Sequence, residues 1–128
     1  MNTEIVKEFY KHLANSNMQG VFKLLHQNFK LVQASSLPYG GTYLGTHGVT
    51  TFFSRFFEFW QSFKSVDVEY FEMGDKVFAI SQILGTTHNN KNIEMKMIQL
   101  FVVQEYKLVS AEPFYFDTAE LSDKKSGI

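Results

Sequence analysis

Groups that can move a proton or hold a metal are sparse in this chain. The histidines are His12, His26, His47 and His88. No two are spaced four apart on a helix and no His-Glu-x-x-His occurs, so the spacing predicts no metal site. His47 opens a helix and His88 ends a strand, and at a cavity mouth either would be a candidate general base. A lone histidine is more often structural. Asp117 is the third candidate. Buried under Phe114 and Phe116, its carboxyl would rise in pKa and act as acid or base. Asp117-Thr118-Ala119-Glu120 is also the spacing of a helix N-cap, and the spacing favours that reading. With no cysteine, thiolate chemistry, disulfides and sulfur metal sites are excluded. Gly40 to Gly48 is not followed by Gly-Lys-Ser/Thr, and no Gly-x-Ser-x-Gly occurs, so neither a phosphate loop nor a serine elbow is present. No cofactor is implied.

Gln99 is the most informative polar residue. It alternates in phase with Met95, Met97, Phe101 and Val103, which puts an amide on an apolar strand face. A buried amide needs partners, and backbone, water or a ligand can each supply one. Around it the chain is rich in aromatics, with 14 Phe, 6 Tyr and 1 Trp. Phe9, Tyr39, Phe53, Trp60, Met97 and Phe101 are credible walls of an apolar pocket beside Gln99. They are equally credible as a close-packed aromatic core.

The elements that must position these residues divide the chain in two. Ile5, Val6, Phe9, Tyr10 and Leu13 form a helical stripe that Asn2 or Thr3 can cap. A short helix follows with Val21, Leu24 and Leu25 inward, and Phe29 to Ser35 alternates as a strand. Leu37-Pro38-Tyr39-Gly40-Gly41 is turn chemistry. A third helix is expected from about Gly48 to Phe63, with an apolar arc wider than one contact uses. After Ser65 the period becomes two, with strands at Val66–Met73, Lys76–His88, Ile93–Gln104 and Lys107–Phe116. Their short connections make them antiparallel hairpins. Pro113, lacking an N–H, suggests a bulge or an edge.

The 128 residues fit one domain, expected over 1–121, with a flexible tail over 122–128. Net charge is −1 and Arg55 is the single arginine. Nucleic-acid binders show basic stripes rich in arginine, so that partner class is not expected. No signal-peptide core and no membrane-length apolar run occurs, which makes the cytoplasm the default location.

Three stretches resemble one superfamily. Phe9-Tyr10 followed by Asn15-Ser16-Asn17 is similar to the first-helix segment of NTF2-like proteins. Pro38-Tyr39-Gly40-Gly41-Thr42-Tyr43-Leu44-Gly45, with Gly48-Val49 and Phe52-Phe53, resembles the loop and helix of SnoaL-like domains. Tyr115-Phe116-Asp117-Thr118-Ala119-Glu120-Leu121 resembles their ending, where an Asp is frequent. The matches fall in family order over nearly the whole chain.

This resemblance implies an α+β cystatin-like cone, with three N-terminal helices packed on a strongly curved mixed or antiparallel sheet and a pocket between. Its members include polyketide cyclases, dehydratases, ketosteroid isomerases and non-enzymatic binding domains, and most are homodimers. An isomerase needs a base in the loop before the third helix, a tyrosine on the first helix and an acid on the penultimate strand. Carried over by position, those roles fall on Ser36 or Leu37, on Phe9 and on Gln99. None of these can transfer the proton, which argues against that reaction. The expected partner is a small, mostly apolar molecule, bound by an isomerase, cyclase or dehydratase, by a non-catalytic binding protein, or not at all in a dimerisation module. A second copy is expected on the outer sheet face, since the strand Ile93–Gln104 is apolar on both sides.

Overall fold

The computed structural model describes residues 1–122. Residues 123–128 of the expected tail lie outside that range. Helices α1 (Asn2–Ala14) and α2 (Met18–Leu24) lead directly into strand β1 (Leu25–Gln33). After a loop come β2 (Gly41–Leu44), α3 (Gly45–Phe59) and the long strands β3 (Trp60–Met73), β4 (Lys76–Thr87) and β5 (Asn92–Gln104). Strand β6 (Lys107–Tyr115) and the short α4 (Thr118–Leu121) complete the described chain.

The strands form one sheet in the order β2-β1-β6-β5-β4-β3. β1 runs parallel to β6 and every other neighbour is antiparallel, so the sheet is mixed. Register shifts in β3 at Trp60/Ser62 and Val66/Glu69, and between Val102 and Val103, mark bulges. A bulge adds one residue to one strand of a pair and bends it. The fold is an α+β cone, with α1, α2 and α3 against the concave face. Val6 and Phe9 from α1, Val21 from α2 and Val49, Phe52 and Phe56 from α3 are buried against Val77, Ala79, Ile83, Met97 and Phe101 of the sheet.

Several boundaries differ from the sequence reading. The third helix stops at Phe59, and Trp60 and Phe63 lie on β3 instead. Their spacing also suits a helix, but β4 extends to Thr87 and its backbone groups need a partner; Trp60↔Thr87 and Phe63↔Gly85 supply it. A Cβ at Gly85 would lie 2.6 Å from Trp60 Cε3, so only glycine lets the indole lie against that strand. Part of the expected turn is strand β2, paired with β1 through Leu31↔Tyr43. Pro113 is on an interior strand; the β1 ladder ends at Leu31↔Ala111, two residues short of it, so no neighbour on that side requires its N–H. The start of α1 has no side-chain cap of its own. Glu72 of β3 accepts from the Thr3 backbone N–H at 2.8 Å and the Thr3 hydroxyl at 2.6 Å. Those hydrogen bonds hold the Glu72 carboxyl below its usual pKa.

Candidate functional site

Between the concave face and the helices lies a cavity of about 160 Å³. The strand registers determine its floor. Gln99 of β5 is opposite Pro113 of β6. On the other side of β6, Leu31 of β1 is level with Ala111. Two buried amides, Gln33 at the end of β1 and Gln99 on β5, both border the cavity. Met97 and Tyr115, a register pair, form the next row. Side chains from α1 and α3, among them Phe9, Tyr10, Phe52, Phe53 and Phe56, form the roof. Phe57 is half exposed and stacks with Phe53 at 6.1 Å, where the cavity approaches solvent.

Two hydrogen-bond arrangements set the polar groups. The Tyr10 hydroxyl donates to Gln99 Oε1 at 3.0 Å. Behind the opposite wall, Trp60 Nε1 donates to the Tyr39 hydroxyl at 3.1 Å, and Tyr39 donates to the Tyr115 hydroxyl at 3.1 Å. An indole N–H can only donate, so Tyr39 accepts from Trp60, and its contact with Tyr115 ties that lining residue to the same chain. Gln33 Oε1 is buried with no hydrogen-bond partner. A buried acceptor left unmade costs on the order of 1–3 kcal/mol.

The lining contains no carboxylate, imidazole or amine among the described residues. Its ionisable groups are phenols that burial keeps neutral. Desolvation raises Tyr10 and Tyr115 well above the ordinary phenol value and pushes Tyr39, behind the wall, up to about 12. The site can donate and accept hydrogen bonds near neutral pH, but its own side chains offer no acid or base titrating there.

Of the expected pocket residues, Phe9, Phe53, Met97 and Gln99 line the cavity. Tyr39, Trp60 and Phe101 do not. Tyr39 and Trp60 lie one layer back in the hydrogen-bonded chain, because Trp60 is on β3 rather than α3. Phe101 is fully buried, edge-on to Phe9 and Tyr10 at 5.4 and 5.9 Å, which fills the space it would otherwise border. The candidate acids and bases lie elsewhere. Asp117 accepts from the Glu120 N–H at 3.3 Å as the cap of α4. His47 is exposed on the first turn of α3. His88 Nε2 lies 2.8 Å from the Phe57 carbonyl, bordering an open surface groove. Among the described residues no group of three or more potential metal ligands occurs, and no helix is long and apolar enough to cross a membrane.

The sequence reading missed Gln33, Tyr115 and Tyr10. Gln33 was legible in part: it continues the alternation of Phe29 and Leu31, as Gln99 continues that of Met97. Its place on the cavity wall depends on the parallel β1–β6 pair, which joins residues far apart in the chain.

The model of the SnoaL-like domain matches residues 6–111, most of the chain. The chain belongs to the SnoaL-like family. No curated protein matches its sequence at a significant level. Among solved structures, an NTF2-like protein of unknown function from Burkholderia pseudomallei K96243 superposes with a TM-score of 0.88 at 22% identity, covering 95% of this chain and 97% of that one. TerC co-crystallised with polyporic acid gives 0.86 at 20% identity, over 94% and 96% of the two chains. A putative polyketide cyclase from Pseudomonas putida KT2440 gives 0.80 at 15% identity, over 95% and 98%. At these identities the likeness shows the fold. In this SnoaL-like chain, the positions expected of an isomerase hold an exposed Ser36, a buried Leu37, Phe9, and a Gln99 bonded to Tyr10.

Proposed function

We propose that this SnoaL-like protein binds a small, neutral, mostly apolar molecule in the cavity between α1, α3 and the sheet, and acts as a binding protein rather than a proton-transfer enzyme. The observation that carries this is the composition of the wall: aromatic and aliphatic side chains with a few uncharged polar groups around about 160 Å³ of space. Ligand sites combine apolar walls with a few well-placed polar groups. An engineered apolar cavity of about 150 Å³ in another protein binds benzene, so this volume suits a single ring. Co-crystallisation of the neighbour TerC with an organic acid accords with a small-molecule role for the fold.

The test is calorimetric titration with toluene, with the ¹³C-methyl resonance of Met97 as a local reporter. Saturable binding that shifts Met97 is expected. Leu13→Trp, which fills the cavity from its half-exposed rim, should abolish both signals. Absence of binding by the wild type, or binding that Leu13→Trp leaves intact, overturns the reading.

We also propose that the convex face pairs with a second copy. Register places Phe71, Phe78 and Leu100 in one row and Ile80, Ile98 and Phe114 in the next. The packed helices occupy the other face. Phe71 and Phe114 are more than half exposed. Charges of both signs, Lys76 and Lys96 with Glu69 and Glu112, flank the patch, so two copies meet without an excess of like charge.

A further inference from the structure

The polar groups of the cavity specify more than apolar character. Gln33 is 5% exposed, borders the cavity, and its Oε1 has no partner. That oxygen can only accept. Tyr115, one residue pair further along the floor, carries a hydroxyl that bonds Tyr39 and that, as a hydroxyl, can both donate and accept. An unpaired acceptor and a hydroxyl thus belong to two lining residues on adjacent strands. A hydroxyl is the smallest ligand group that both donates and accepts, and so it can satisfy both. A carbonyl would serve Tyr115 and leave Gln33 Oε1 orphaned. A carboxylate would leave Gln33 unpaired and bury a charge where no cation compensates it, which is costly.

Resting on the binding function proposed above, we infer that the ligand is a neutral single-ring molecule bearing a hydroxyl, of the phenol class, whose O–H donates to Gln33 Oε1 and accepts from the Tyr115 hydroxyl. The volume sets the ring count: about 160 Å³ holds one six-membered ring and a small substituent and excludes fused polycycles. The second buried amide, Gln99, is already tied to Tyr10 through its oxygen.

The experiment compares phenol, toluene and benzoate as probes on the wild type, Gln33→Leu and Tyr115→Phe by calorimetry, with the Met97 methyl reporting location. Phenol should bind the wild type about tenfold tighter than toluene, and benzoate should not bind. In Gln33→Leu the phenol-to-toluene ratio should fall to about one while toluene binding persists, and Tyr115→Phe should lower the ratio in the same direction. The ratio is read within each variant, so a loss of overall stability does not affect it; Gln33→Met replaces Gln33→Leu if the latter fails to fold. Toluene binding equal to or tighter than phenol in the wild type overturns the hydroxyl inference and leaves the binding function standing. An unchanged ratio in both variants overturns it as well. Binding of none of the probes overturns both. Benzoate as the tightest probe overturns the neutral-ligand assignment.

Discussion

Tyr10 joins the first helix to the floor of the cavity through one hydrogen bond to Gln99. A net hydrogen bond of this kind is worth roughly 0.5–1.5 kcal/mol. Tyr10→Phe should therefore lower unfolding free energy by about 1 kcal/mol in urea titration, and release Gln99 to accept from a ligand. The buried phenols also define a pH dependence. The Tyr39 pKa is pushed up from 10.0 to about 12 by burial, and Tyr115 rises well above its usual range. The unfolded chain then loses these protons before the folded chain does. Their contribution to stability is complete below pH 10 and is lost as pH rises from 10 toward and beyond 12. Urea midpoints measured from pH 8 to pH 12 should fall progressively above pH 10, and Tyr39→Phe should flatten that decline. Binding of a neutral ligand should be level between about pH 6 and 9, because no group in the wall titrates there. A bell-shaped binding profile in that range would point to an acid or base outside the lining described.

At the scale of elements, the transition from α3 to β3 positions the back wall of the site. Helical periodicity continues through Phe63, yet the chain leaves the helix at Trp60 because β4 needs a partner as far as Thr87. Gly85 makes this possible by leaving room for the indole. Gly85→Ala places a methyl into Trp60 and the Ser62 carbonyl, and forced overpacking of this kind costs about 1–3 kcal/mol. Loss of stability in that range, with a change in Trp60 fluorescence, is expected; an unperturbed spectrum would show that the indole is free to move aside. The first helix is anchored just as non-locally, by Glu72 of β3 rather than by a neighbouring cap. The sequence offered Asn2 or Thr3 as a local cap, but neither caps the helix; Thr3 instead donates to Glu72. It arrives from about seventy residues away.

At the scale of the whole molecule, one sheet separates two apolar surfaces. The concave face holds the cavity and the helices, and the convex face carries the patch around Leu100. Leu100→Lys puts a charge in the middle of that patch and should shift sedimentation equilibrium toward monomer while leaving toluene binding intact. A wild type that sediments as a monomer at micromolar concentration overturns the dimer. The two faces are coupled only through the sheet itself, so cavity variants such as Gln33→Leu should not alter the oligomeric state.

Local chemistry in the sequence determined the fold class. Helical stripes before Ser65, alternation after it and short polar connections admit an α+β sheet with helices on one side, because side-chain periodicity and turn residues act over a few residues. Gln99 was identifiable for the same reason, as a polar residue interrupting an apolar alternation. The cap at Asp117 was likewise a matter of four consecutive residues. The tertiary structure alone decided what faces the cavity. The parallel β1–β6 pair brings the strand that carries Gln33 against β6, the long β3–β4 ladder removes Trp60 from the helix, and Phe101 fills the volume next to Phe9. Each is a pairing between distant segments, and alternation or helical spacing states only which side of an element a residue occupies, never which element it will meet.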